Sequence, residues 1–141
     1  MPPKSSLEYL PTLLYTARSF IALNDPARAL SLVPADVEPA VRAVRALATY
    51  KQAKKSSSDV EAILDDLRDL EIEAEAAAGE AGGEGPGEEG AGVGVVRVAA
   101  ATAFIEEGEL EEALTTLGAG TGVKDLEWYV AIWLHTQAHS V

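Results

Sequence analysis

Cysteine is absent from this chain of 141 residues, and its absence removes three classes of function. Disulfide scaffolds need paired cysteines, thiolate metal sites need cysteine ligands, and cysteine enzymes need a nucleophilic thiolate. A small extracellular domain held together by disulfides is therefore excluded, and a reducing compartment fits the composition.

Basic residues are scarce as well. The chain has 11 Lys and Arg against 23 Asp and Glu, which gives a net charge of −12. Binding to a phosphate backbone depends on Lys and Arg side chains that displace counterions, and anionic lipid surfaces attract the same cations. The charge balance argues against nucleic acid and against direct contact with an anionic membrane.

Long apolar runs and strand patterns are also lacking. Glu8 and Arg18 interrupt the apolar stretch near the N-terminus, so neither a signal peptide nor a membrane-spanning helix is predicted, and we expect a cytosolic protein. The Val-rich run VGVVRVAA at 93–100 leads directly into Ala-rich, helix-forming sequence. The sequence predicts an all-α fold.

Helix starts are visible in the sequence. Ser58 and Glu61 form a capping-box pattern, in which each side chain reaches the main-chain N–H of the other. Asp36 and Asp125 precede apolar helical runs and are expected to be N-caps.

A Gly/Glu-rich stretch, GEAGGEGPGEEGAGVG at residues 79–94, interrupts the helical pattern, and half of its sixteen residues are Gly. It cannot bury enough apolar surface to offset the entropy of ordering, so we expect a flexible, disordered loop. A phosphate-binding Gly loop would need a Lys followed by Ser or Thr, and this stretch has neither.

Two segments on either side of this stretch share one pattern of small, aromatic and aliphatic residues. The positions of the first copy are Ala17, Phe20, Asn24, Ala29 and Val33, and those of the second are Ala101, Phe104, Gly108, Ala113 and Leu117. The copies are 84 residues apart, and without the sixteen residues of the Gly/Glu-rich stretch the separation is 68. This equals two periods of a 34-residue tetratricopeptide repeat.

The period predicts a tetratricopeptide-like solenoid of helical hairpins that start near Leu10, Val44, Gly94 and Trp128. Residues 1–78 would form two hairpins, 79–94 the flexible loop, and 95–141 a third hairpin plus the first helix of a fourth. In the second hairpin this spacing puts Lys51 in the position of Ala17, and Ile63 in that of Ala29. With the fourth hairpin incomplete, we expect exposed apolar side chains and self-association, at Trp128, Trp133 and Leu134.

The first helices of such an array line a concave groove, and their inward positions are mostly apolar. A large exposed apolar patch marks a partner site. We therefore predict binding of a protein partner by Leu14, Ile21, Val95, Val98, Ile105, Tyr129 and Ile132. A register shifted by one residue would make the same side chains part of the core, and the pattern alone leaves that alternative open.

Chemistry at a catalytic or metal site is not predicted. His135 and His139 lie four residues apart, as metal-binding pairs do, but supporting ligands are missing. The acidic run at 106–112 lacks the spacing of a calcium loop and fits a solvated turn at the N-terminus of a helix. We expect no cofactor, no metal and no enzyme activity.

The order of these segments resembles the coatomer epsilon subunit family. The resemblance rests on LYTARSFIALNDPARALSLV, EPAVRAVRALATYKQAKK, VEAILDDLRDLEIE and VRVAAATAFIEEGELEEALTTL, which together cover most of residues 7–139. The family has further helices before LYTARSF and further hairpins beyond His139, so we expect a truncated member. The Gly/Glu-rich insertion departs from the family pattern.

The resemblance implies a non-enzymatic structural subunit of the COPI vesicle coat, which binds the C-terminal region of the coatomer alpha subunit in the cytoplasm and at Golgi membranes. The alternative is a free-standing tetratricopeptide adaptor, such as a receptor for chaperone tails. Those receptors hold a terminal carboxylate with Lys, Arg and Asn side chains, whereas the predicted groove contains Leu14, Arg18, Val98 and Thr102. A metal-dependent enzyme is a more distant alternative.

Overall fold

A computed structural model of the chain describes residues 1–35, 38–80 and 88–118. Secondary structure in these ranges is helical, which confirms the predicted all-α fold. The helices are α1 (Tyr9–Ala22), α2 (Pro26–Leu32), α3 (Pro39–Lys55), α4 (Glu61–Glu80), α5 (Glu88–Glu106) and α6 (Leu110–Thr116).

The helices form three successive hairpins, α1 with α2, α3 with α4, and α5 with α6. Each first helix packs against the first helix of the next hairpin, so α3 contacts both α1 and α5. Each second helix also packs against the first helix that follows it, α2 on α3 and α4 on α5. This arrangement is that of a tetratricopeptide-like array, in which a hairpin buries its apolar face against its neighbours.

Alanines with no exposed surface lie where the first helices approach one another. Their small side chains allow close packing of helix on helix, and two large aromatic rings, Tyr50 and Phe104, fill the remaining space and are fully buried. The fully buried alanines of the first helices are Ala17, Ala43, Ala48, Ala100, Ala101 and Ala103. In α5, none of residues 92–105 is fully exposed.

The first helix of every hairpin ends in the same way. Asn24, Ser57 and Gly108 follow α1, α3 and α5 with φ angles of 63°, 55° and 81°, in the left-handed region. The repeat pattern placed Asn24 and Gly108 at the same position, and both residue types tolerate this conformation.

Hydrogen bonds at these three ends define equivalent positions. The N–H of the residue after each left-handed residue donates to a carbonyl five residues earlier, at Phe20 (2.9 Å), Ala53 (2.9 Å) and Phe104 (2.8 Å). This is the Schellman arrangement of helix C-termini. It aligns Phe20 with Phe104, as predicted, and aligns Ala53 with both.

The predicted register of the second hairpin is wrong by one residue. With Ala53 aligned to Phe20, the position of Ala17 belongs to Tyr50, which is fully buried, and not to the half-buried Lys51. The turn after α3 is also longer, since α4 begins four residues after Ser57 whereas α2 begins two residues after Asn24. As a result Leu64, and not Ile63, is the fourth residue of its helix, as Ala29 is in α2.

The cap of α4 also differs from the predicted one. Asp59 accepts from the main-chain N–H of Glu61 at 3.1 Å, so this aspartate caps the helix in place of Ser58. A carboxylate at this point is favoured by the partial positive charge of a helix N-terminus. The predicted caps Asp36 and Asp125 lie outside the described residues.

The structure differs from the predicted loop, residues 79–94, at both ends. Gly79 and Glu80 belong to α4, and residues 88–94 belong to α5, so packing outweighs the cost of about 1 kcal/mol for each helical glycine. Residues 81–87 lie outside the described residues, as do Trp128, Trp133, Leu134 and the predicted fourth hairpin.

Replacement of Gly108 by Ala tests the helix-end motif. A Cβ at this position would meet no atom within 4 Å, so the cost comes from the positive φ alone. We expect Gly108→Ala to lower the free energy of unfolding by about 1 kcal/mol, measured by urea denaturation.

Gly79→Ala is the matched control, because Gly79 lies in α4 with equally open space around it. This substitution should raise stability by about 0.5 kcal/mol. Equal effects of the two substitutions would show that the left-handed turn after α5 is not a constraint on the fold.

Candidate interaction surfaces

Three of the seven predicted partner-binding residues are buried. Leu14 is 6% exposed, and Ile21 and Ile105 are each 8% exposed, and all three belong to the hydrophobic core. Val95 and Val98 on α5 are partly buried and pack against that core. Tyr129 and Ile132 lie outside the described residues.

This placement follows the alternative that the sequence left open, in which the apolar inward positions are core. The concave groove is accordingly not lined by fully exposed apolar side chains at Leu14, Ile21 or Ile105. Of the five residues placed by the structure, Val95 and Val98 retain accessible surface. Partner binding by any of the seven stays a prediction.

The acidic residues at the end of α5 form specific contacts with α3. Glu106 forms an ion pair with Lys51. Glu107 accepts from the Tyr50 hydroxyl at 2.6 Å and pairs with Lys54 Nζ at 2.9 Å. These carboxylates therefore join two neighbouring hairpins and are not simply solvated.

Lys55 extends this set of contacts to the first hairpin, because its Nζ donates to the Asn24 carbonyl at 2.6 Å. All three hairpins thus meet where their first helices end. We call this set the polar edge; its members are Asn24, Tyr50, Lys51, Lys54, Lys55, Glu106 and Glu107.

Tyr50 and Glu107 shift each other's pKa. The hydrogen bond from Tyr50, together with that from Lys54, lowers the pKa of the Glu107 carboxyl below its usual 4.5. Burial, and then the carboxylate itself, raises the pKa of the Tyr50 hydroxyl above its usual 10.0. The pair is therefore a neutral phenol that donates to an ionised carboxylate, the stronger kind of hydrogen bond.

Lys51 is less exposed to solvent than Lys54 and Lys55. Burial lowers the pKa of its ammonium group from the usual 10.5. The ion pair with Glu106 supplies the compensating charge that a half-buried ammonium needs.

Arg68 joins α4 to the third hairpin. Its Nε donates to Glu112 of α6 at 2.7 Å, and its NH1 donates to Asp65 at 2.7 Å. The guanidinium carbon also lies 5.4 Å from the ring centre of Phe104, within cation–π range. One side chain of α4 therefore contacts both helices of the third hairpin.

Further polar contacts tie the second helices to their neighbours. Arg42 of α3 binds Glu73 of α4 through both carboxylate oxygens, at 2.8 and 2.9 Å. Arg45 of α3 donates to the Val33 carbonyl at 2.7 Å and so caps the C-terminus of α2. Favourable cation placement at a helix C-terminus follows from the helix dipole.

A mixed-charge group lies between α4 and α5. Arg97 NH2 donates to Glu75 at 3.2 Å, while the Arg97 Nε is buried and has no hydrogen-bond partner among the residues that the structure describes. Burial is also the main reason that the pKa of nearby Glu71 is raised above 4.5, although the hydroxyl of Thr116 opposes this shift. Packing of α4 against α5 therefore partly buries the charged groups of Arg97 and Glu71.

Metal and membrane sites are absent from residues 1–35, 38–80 and 88–118. No group of three potential ligand side chains in those ranges could hold a metal ion. Nor is any helix there both long and apolar enough to cross a bilayer. The histidines His135 and His139 lie outside the described residues.

Local spacing does not predict the polar edge, because its partners lie between 31 and 57 positions apart in the sequence. A usable signal was nevertheless present. The end of α3 carries three lysines within five residues, and the end of α5 carries two glutamates. These are equivalent helix ends of adjacent hairpins.

Comparison with known proteins identifies one family. The family model described as coatomer epsilon subunit matches residues 1–140. Searches of curated proteins and of solved structures give no match.

The lowered pKa of Glu107 predicts a pH dependence of stability. A carboxyl whose pKa is lower in the folded chain stabilises that chain at pH values above its unfolded pKa, and the contribution is lost as the pH falls through the folded pKa. At pH 7 we expect Glu107→Gln to reduce the free energy of unfolding by about 1 kcal/mol, as measured by urea denaturation. The difference from the wild type should shrink steadily below pH 4.5.

Glu109→Gln is the control, because Glu109 is exposed in the same turn and its side chain makes no cap hydrogen bond. The control should change stability little at pH 7. A pH-independent effect of Glu107→Gln would mean that the carboxylate charge does not stabilise the polar edge.

Proposed function

The chain belongs to the coatomer epsilon subunit family, and we propose that it is a non-enzymatic subunit of the COPI coat that binds the C-terminal region of the alpha subunit. The family match over residues 1–140 is the observation that carries this proposal. In this role the chain is cytoplasmic and associates with Golgi membranes and vesicles only through the coat, in Golgi-to-ER retrograde and intra-Golgi transport.

The hairpin array supports a scaffolding role. Its apolar side chains are used to stack one hairpin on the next, and the carboxylates between hairpins pair with lysine and arginine. Such an array presents an extended surface of fixed shape, which suits the holding of a partner protein.

The lysines of α3 argue against the adaptor alternative. A clamp for a terminal carboxylate needs cationic side chains that converge on one point, whereas Lys51 and Lys54 contact two different glutamates and Lys55 contacts the first hairpin. We therefore favour a coat subunit over a receptor for acidic peptide tails.

Co-elution of the chain with the C-terminal region of the coatomer alpha subunit tests the proposal. We expect a stable complex in size-exclusion chromatography, with the partner in excess. A folded chain that never co-elutes with this region would contradict the proposed partner.

Val98→Asp tests the concave groove within that complex. Val98 is partly buried on α5, and a desolvated, unpaired charge at a partner contact should weaken binding at least about tenfold. Ile72→Asp on α4 is the control, since Ile72 is 68% exposed and lies on a second helix.

Circular dichroism must first show that both variants retain the helical signal of the wild type. Weaker binding by the Ile72 variant alone would place the contact on the second helices and reject the groove.

A further inference from the structure

Three consecutive serines form the exposed turn between α3 and α4. Ser56, Ser57 and Ser58 follow Lys55, the last residue of α3, and all three are exposed. The N–H of Ser57 donates to the Lys54 carbonyl at 3.2 Å, and that of Ser58 donates to the Ala53 carbonyl at 2.9 Å. The serines are thus held against the turn of α3 that carries Lys54 and Lys55.

The hydroxyls of this turn have unequal roles. Ser56 Oγ lies within hydrogen-bond distance of the Gln52 and Ala53 carbonyls, at 3.3 and 3.2 Å. Ser58 Oγ does not cap α4, because Asp59 does so, and its contact is with Ser56 Oγ at 2.9 Å. Ser58 therefore presents a surface hydroxyl that neither helix uses as a cap.

Acidic residues follow Ser58 at the first and third positions. Asp59 and Glu61 are exposed, and they give the turn the charge pattern that a protein kinase with a basic substrate groove recognises. Ser31, also exposed, has Leu32 and Pro34 at the same two positions and lacks this pattern.

We propose that Ser58 is a phosphorylation site for an acid-directed serine kinase, and that its phosphate draws Lys54 and Lys55 away from the polar edge. The Ser58 oxygen attacks the γ-phosphorus of ATP, the bond from that phosphorus to the bridging oxygen breaks, and ADP leaves. The hydroxyl proton passes to the catalytic base of the kinase.

The phosphate would compete for lysines that now join the hairpins. It adds nearly two negative charges and three strong acceptor oxygens. Lys54 is 45% exposed in its pair with Glu107, and Lys55 reaches only a main-chain carbonyl, so both can exchange partners. Loss of these contacts loosens the polar edge while leaving the apolar core between hairpins in place.

Phosphorylation of the folded full chain by an acid-directed kinase with ATP, followed by mass spectrometry, tests the site. We expect phosphate on Ser58, none after Ser58→Ala, and an unchanged rate after Ser56→Ala. Glu61→Gln should slow the reaction about tenfold, through loss of one charged contact to the kinase. The substitution leaves the main-chain N–H that binds Asp59 in place.

Three results would overturn the assignment: no phosphate on Ser58 in the folded chain, equal phosphate on Ser31, or an unchanged rate in the Glu61 variant. The effect on the polar edge has its own readout, amide hydrogen exchange at Gly108 and Glu109. Exchange there should rise on phosphorylation of the wild type. In Lys54→Gln, which has already lost the contact with Glu107, phosphorylation should add little. Unchanged exchange in the wild type, or an equal rise in both chains, would reject the lysine exchange.

Discussion

Close approach of the first helices is the constraint on which the array depends. Ala17, Ala48 and Ala101 have no exposed surface, and their small side chains leave room for a neighbouring backbone. A larger residue there would push neighbouring helices apart, and protein interiors tolerate such overpacking poorly. Tyr50 is the exception, and its hydroxyl reaches the next hairpin, where it binds Glu107.

Helix surfaces made of alanine pack closely, but their small side chains do little to fix the position of one helix along another. Burial of apolar area is non-directional, so it favours contact without selecting a single register. The polar edge supplies direction, since Tyr50 and Lys54 both meet Glu107 at the end of α3. Arg68 performs the same task between α4 and α6. Apolar burial and fixed polar contacts therefore act on different parts of each hairpin.

The sequence predicted the features that repeat and missed those that depart from the repeat. Asn24 and Gly108 were paired correctly because both end a helix in the left-handed conformation, and few residue types do so readily. The second hairpin was misaligned because Tyr50 lies 33 residues after Ala17 and the turn that follows has two additional residues, and a constant period of 34 allows for neither. Gly-rich composition likewise predicted a loop where residues 88–94 are helical, since packing on α3 and α4 overrides local propensity.

The candidate site could be predicted only in part, for a related reason. Apolar periodicity identifies the face that a helix buries, but the same pattern serves for a core and for a partner groove, and Leu14, Ile21 and Ile105 prove to be core. Pairs such as Lys51 with Glu106 depend on which helix ends meet in space, and that is fixed by the stacking of whole hairpins. Exposed acids and lysines in a solenoid sequence therefore have to be compared between equivalent helix ends of adjacent units. Compared in that way, the three lysines of α3 and the two glutamates at the end of α5 form one surface, which local spacing alone does not reveal.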